Sequence, residues 1–457
     1  MMLFVLVVAA SVGIAFLLRN RLEYAVAAVI AARYFIPSSA SVEFVPFLDP
    51  SVYLLVAVFL VQLIWNFSGT LKAFYLSRVE IFVFAMLMLL AVANIFSQFV
   101  SPLSAASDII RIYLAPFLLY VLIRALCFDG TKKILVVIYG YLLFSVVQSV
   151  MAIIQNQQGA LLVWESAFRR LWVGEDGGFG RSQGFLEFGL GLGSAMILAM
   201  VFCFWIRSAV LRFGLALLFL YTMLLSSSRA ALIVGILLFV IMAFYAARSY
   251  AANFVVFAAA GGAMAGFVAT GGAEEIFEKI QNDNGSTARR IEAYSWFLQN
   301  MESFVFTGYQ GNRDFRGSQT LSSSLENALF MAAVNYGLVF AVILIGLLLF
   351  IAFRSFRYGK LAIIAGIGLL GFLMVENTNS AFSSLSFTGY ALWVLAGVCS
   401  YNAGSLLRNL PSAGRGSNAP ETVNPVGEPT EEREPEPVRV PVGAMRQAPY
   451  RRYVTDS

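Results

Sequence analysis

The chain has 457 residues, 59% of them hydrophobic and only 12% charged, with a mean hydropathy of +0.78. Soluble domains carry about 25% charged residues, so this composition excludes an ordinary soluble protein and points to an integral membrane protein built from spanning helices. The formal net charge is +5 and there is no histidine. That removes the commonest base near neutral pH and the commonest metal ligand, leaving proton chemistry to carboxylates, Tyr, Lys or water.

In chain order, the first apolar run, 1–18, has no basic segment before it and no small-residue cleavage site after it. It reads as a retained helix and not a signal peptide. Apolar runs long enough to cross a bilayer are expected at about 1–18, 22–37, 51–67, 79–100, 109–126, 134–155, 185–206, 209–226, 229–247, 251–271, 326–353, 360–380 and 384–401. The expected fold class is all-α: a polytopic membrane protein of about twelve to thirteen transmembrane helices over residues 1–401. Cys127, Cys203 and Cys399 lie in or beside apolar runs without pair spacing and read as buried free thiols, not as a disulfide or metal site.

Lys and Arg in short connections orient such a chain. Arg19, Arg21, Lys72, Arg78, Arg124, Lys132, Lys133, Arg207, Arg212, Arg248, Arg354, Arg357, Lys360 and Arg408 all fall on one side of the expected topology. That side is the cytoplasm, with the N-terminus outside and the C-terminus inside. Two external loops, about 156–184 and 272–325, break the charge pattern with Arg169, Arg170, Arg181, Arg289, Arg290, Arg313 and Arg316. Within the second, Ser286 or Thr287 can cap a helix over about 288–303. Ile291, Tyr294, Phe297, Leu298 and Met301 form its apolar stripe, suited to a membrane surface. Gly308-Tyr-Gln-Gly311 reads as a turn. From 402 the chain is rich in Pro, Glu and Arg and poor in large apolar residues, as expected of a disordered cytoplasmic tail over 402–457.

Three constellations carry possible chemistry. Ser226-Ser227-Ser228-Arg229 is a polar tetrad between two apolar runs with no room for a loop. An arginine there is costly in hydrocarbon and suits bidentate phosphate binding; the plainer reading is a tight hairpin whose arginine snorkels to the surface. Arg181-Ser-Gln-Gly-Phe-Leu-Glu187 precedes a helix and offers a second phosphate or sugar contact, or an interfacial anchor. Glu326-Asn327 starts another helix, where the carboxylate either complements the helix dipole or acts as general base or acceptor-orienting group. Glu187 and Glu376 are rivals for that role.

The order of these pieces resembles the O-antigen ligase/polymerase family, which includes Wzy-type polysaccharide polymerases. The resemblance covers roughly 180–350. It rests on Arg-x-x-Gly-Phe, then Ser-x-Ser-Arg opening a helix, a large external loop with an arginine helix and a Gly-Tyr-x-Gly turn, and an acidic-Asn pair with Gly337 eleven residues after Glu326. The resemblance implies glycosyl transfer on the periplasmic face of a bacterial inner membrane, from a glycan on undecaprenyl diphosphate. It implies that Arg229, Arg181 and Arg289 or Arg290 bind the diphosphate, with Ser226, Ser228 and Asn327 nearby. Arg229 and Glu326 become the catalytic candidates. Ligases of the family have a histidine where this chain has Glu326, which favours a polymerase over a ligase. No cofactor and no metal is expected, because the donor is already activated. Expected partners are the lipid-linked glycan, membrane lipid, a chain-length regulator and export proteins, and no nucleic acid. The reading of another class is a lipid-linked oligosaccharide flippase. An enzyme should gather its arginines in one outer pocket; a transporter should place its polar cluster near mid-membrane.

Overall fold

The computed structural model describes residues 2–38, 48–97, 102–165, 181–246, 286–309, 325–378, 386–401 and 403. The expected span 251–271, the loop residues 166–180, 272–285 and 310–324, including Arg169, Arg170, Arg313 and Arg316, and the tail from 404 lie outside the described residues.

Among the described residues every regular element is a helix. In order they are α1 (Met2–Leu17), α2 (Leu22–Phe35), α3 (Pro50–Trp65), α4 (Phe67–Leu76), α5 (Arg78–Ser97) and α6 (Pro102–Ile109). A π-turn, Ile110–Leu114, leads into α7 (Ala115–Asp129), followed by α8 (Thr131–Gln158), α9 (Gly189–Cys203), α10 (Ala209–Leu225) and α11 (Arg229–Ala246). Then come α12 (Ser286–Asn300), with a 3-10 turn Met301–Phe304, α13 (Ala328–Tyr336), α14 (Leu338–Ser355), α15 (Lys360–Glu376) and α16 (Phe387–Val398). Among the described residues four segments are long and apolar enough to cross a membrane unaided: Arg78–Ile95, Ala105–Asp129, Lys132–Gln158 and Leu338–Ser355. A fifth follows if α3 and α4, bent by 109° at Asn66, count as one. Large apolar side chains such as Phe82, Leu89, Val210 and Phe244 stand outward. A lipid surround removes the cost of exposing them, because lipid tails are as apolar as these side chains.

α9 is the buried centre. It carries no charge and is apolar all round, the pattern of a helix enclosed by others. It packs against α8, α10, α11, α15 and α16. The three free cysteines are buried, as expected.

Three helix expectations need correction. The span at 185–206 begins only at Gly189, and 181–188 is irregular. The span at 51–67 ends at Trp65, where the Asn66 side chain caps α4 and turns the chain. The span at 326–353 is two helices. Gly337 sits between them at φ +99, a conformation that favours glycine. The backbone of 305–309 enters this break: Tyr309 N–H donates to Val334 C=O at 2.8 Å and Val339 N–H to Val305 C=O at 3.0 Å. Asn94 of α5 completes the junction, accepting from Gly308 N–H at 2.5 Å and donating to Tyr336 C=O at 3.0 Å.

Some of the helix ends that carry the basic residues assigned to one side meet, while Arg248 and Arg408 lie outside the described residues. Glu80 is buried between the guanidiniums of Arg124 and Arg354, and Arg124 also donates to Leu76 C=O at 2.6 Å. Gln62 donates to Arg19 C=O at 2.7 Å. The opposite end holds the pairs Arg33–Glu187 and Arg111–Asp49 and the segments described next.

Candidate functional site

The irregular stretch 181–188 needs partners for backbone groups that a helix would satisfy internally. α8 supplies them with two glutamines seven residues apart, hence on one helix face. Gln155 Oε1 accepts from Gly184 N–H at 2.8 Å and Gln183 N–H at 3.3 Å, and its Nε2 donates to Gly184 C=O at 2.8 Å. Gln148 Oε1 accepts from Phe185 N–H at 2.8 Å while its Nε2 holds Tyr34 C=O at 2.9 Å. Both glutamines are fully buried. Glu187 closes the stretch, paired with Arg33 at 2.6 Å and accepting from Ser38 N–H at 3.0 Å. These bonds commit Glu187 to holding the segment, which argues against its use as a base.

So fixed, 181–188 reaches the tetrad. Ser182 N–H donates to Leu225 C=O at 3.2 Å, satisfying a carbonyl that the end of α10 leaves orphaned. Ser227 adopts φ +52, a left-handed conformation that ends α10 at some steric cost, and α11 starts at once. Ser228 C=O accepts the first bond of α11, from Leu232 N–H at 3.0 Å. Ser226 and Ser228 are buried, and the Ser226 hydroxyl donates to Met223 C=O at 2.7 Å. Their visible part is to hold the turn. Arg229 and Arg181 are exposed, and Arg181 has no ion pair among the described residues.

The glycines at the start of α9 allow this packing. A Cβ on Gly193 would lie 2.7 Å from the Ser228 Cβ, and one on Gly189 would lie 3.0 Å from Ser226 O and 3.2 Å from the Arg181 Cβ. Two helix N-termini, of α9 and α11, therefore begin within about a turn of each other, flanked by two exposed arginines. The N-cap residue of α9, Phe188, offers no capping side chain. Each N-terminus carries roughly half a positive charge, so the place attracts anions.

A second group forms beside it. Arg290 of α12 meets Glu326 at 2.5 Å, with the two side chains 44% and 30% exposed. Asn327, not Glu326, is the N-cap of α13: its Oδ1 accepts from Leu329 and Phe330 N–H at 3.0 and 3.1 Å. Glu326 thus precedes the helix and is not in its first turn. α12 lies where expected, but the buried side chains are Ala293 and Phe297, and Ile291 and Leu298 are exposed. Phe297 stacks on Phe330 of α13 at 4.1 Å between centroids, which holds Arg290 near Glu326. Arg289 is exposed beside it.

The groups are joined through the end of α15. Asn327 Nδ2 donates to Asn377 C=O at 3.2 Å, and the preceding Glu376, buried, accepts from Ser194 Oγ at 2.9 Å. Ser194 follows the Gly193 that touches Ser228. An apolar crevice lined by Leu329, Ala332, Leu344, Leu373, Glu376 and Asn377 runs between α13, α14 and α15. The structure thus brings Arg181 onto the tetrad and Arg290 onto Glu326, and links the two groups from Asn327 through Asn377, Glu376, Ser194 and Gly193 to Ser228.

Sequence reasoning missed Gln148, Gln155, Asn94 and Arg33. A signal existed for the first two: Ser145, Gln148, Ser149 and Gln155 make one polar stripe in an otherwise apolar span, and such a stripe faces protein, not lipid.

Compared with family models, curated proteins and solved structures, the chain matches none.

Proposed function

We propose that this chain is a multi-pass inner-membrane glycosyltransferase that joins undecaprenyl-diphosphate-linked oligosaccharide units on the periplasmic face. In this reading twelve or thirteen helices cross the membrane, the N-terminus is outside and the tail beyond 402 is cytoplasmic. The observation that carries it is the meeting of two helix N-termini with Arg181 and Arg229 at one end of the helix assembly, a built attraction for phosphate.

The acceptor hydroxyl oxygen attacks the anomeric carbon of the donor. The carbon–oxygen bond to phosphate breaks, and its electrons leave on undecaprenyl diphosphate. The hydroxyl proton passes to Glu326. Charge grows on the diphosphate as the bond lengthens, and fixed cations in a site of low dielectric stabilise that growth most. The arginines and helix dipoles bind the leaving group, and the lipid tail extends into the surrounding bilayer.

Deleting the protein and analysing surface glycan tests this. Loss of long polymer with single repeat units retained is the expected result. Polymer still made on lipid but no longer transferred to its final acceptor would replace polymerase by ligase. Normal polymer would overturn both.

A further inference from the structure

Arg290 is a cation at an anion-attracting end of the molecule, yet a carboxylate of the same chain already holds it. We infer that the Arg290–Glu326 pair is an exchangeable latch: the diphosphate of the lipid-linked donor takes the place of Glu326 on Arg290. The displaced carboxylate is then free to receive the acceptor proton. This inference rests on the function proposed above and deepens it. One residue pair would couple donor binding to release of the base.

Three observations support the exchange. First, the pair is open to solvent on both sides, 44% and 30% exposed, so a ligand oxygen can approach without the core opening. Two other carboxylate pairs at this end among the described residues, Arg33–Glu187 and Arg111–Asp49, are buried and offer no such path. Second, both backbones are pinned. Leu325 is fully buried and Asn327 is tied by its cap bonds, while α12 is held by Phe297 against Phe330 and by the 305–309 segment in the helix break. Exchange then needs only side-chain rotation. Third, the pair joins segments 36 residues apart, and Arg290 sits near the N-terminal end of α12, where the helix dipole disfavours a cation. Glu326 relieves that, and a phosphate relieves it better because it carries more charge and more acceptor oxygens.

The test uses the full chain in lipid nanodiscs, with undecaprenyl diphosphate as probe and undecaprenol as the phosphate-free control. Glu326→Gln removes the competing charge and keeps the shape. It should bind the diphosphate roughly two- to fivefold tighter than wild type, the range expected for a solvent-accessible ion pair. That gain should vanish in the Arg290→Ala background. Unchanged or weaker binding by Glu326→Gln, or a gain that survives Arg290→Ala, would overturn the latch. Diphosphate binding that Arg229→Ala abolishes but Glu326→Gln leaves unaltered would sink the latch alone and spare the proposed function. No preference for diphosphate over undecaprenol in the wild type would overturn both.

Discussion

Arg229 carries most of the proposed chemistry, and its neighbours explain why it stands where it does. Ser227 in a left-handed conformation ends α10 abruptly, so Arg229 becomes the first residue of α11. Its charge therefore adds to the dipole of its own helix and to that of α9, while Arg181 approaches from 181–188. Removing one preorganised donor from such a site costs about a hundred- to a thousandfold in rate. Arg229→Ala is expected to lose polymer formation by about that factor in a membrane assay, with the thermal melting of the purified protein nearly unchanged because the side chain is exposed. Arg229→Lys should fall between, since an ammonium keeps the charge but not the bidentate geometry. Unchanged polymer from Arg229→Ala would return the residue to interfacial anchoring.

At the scale of elements, the irregular stretches 181–188 and 305–309 build the site, and both depend on side chains from distant helices. Gln155 serves three backbone groups of Gln183 and Gly184. Gln155→Leu would leave all three unpaired in a buried place, at about 1–3 kcal/mol for each group left without a partner. The expected outcome is a clear drop in melting temperature in detergent. It should come with faster modification of a cysteine placed at Arg181, as 181–188 loosens. Gln155→Glu keeps the acceptor and loses the donor, so it should lie between; a Leu variant as stable as wild type would show that 181–188 is held by something else. The stretch could not be read from sequence because Arg181 to Gly184 looks like a loop running into a helix. Its bonds come from Gln148 and Gln155, which lie about thirty residues upstream. The tetrad was legible for the opposite reason: a charge between two apolar runs needs no partner to be conspicuous. Likewise the helix break at Gly337 was hidden inside a continuous apolar run, because only a segment arriving from 305–309 makes it necessary.

For the whole molecule, the all-helical, membrane-type character was legible because composition and span-length apolar runs fix it directly. The charge ledger behind the orientation was legible only in part. Two of its cations, Arg124 and Arg354, are consumed by the buried Glu80, a carboxylate that costs several kcal/mol to bury unless so paired. They speak for packing as much as for sidedness. Arg21, Lys72, Arg78, Lys132, Lys133, Arg207, Arg357 and Lys360 remain exposed, so positive charge survives the subtraction, and the proposed cytoplasmic side rests on these residues. The native thiols are all buried, which makes an introduced surface cysteine the reactive one. Ile291→Cys, at a position 60% exposed on α12, should be labelled by a membrane-impermeant maleimide in cells whose outer membrane is opened but whose inner membrane is intact. Lys132→Cys should be labelled only after the inner membrane is breached. The reverse pattern would place Arg181, Arg229 and Glu326 in the cytoplasm, away from any externally displayed donor, and with that the periplasmic glycosyltransferase reading would fall even if the phosphate site itself were real.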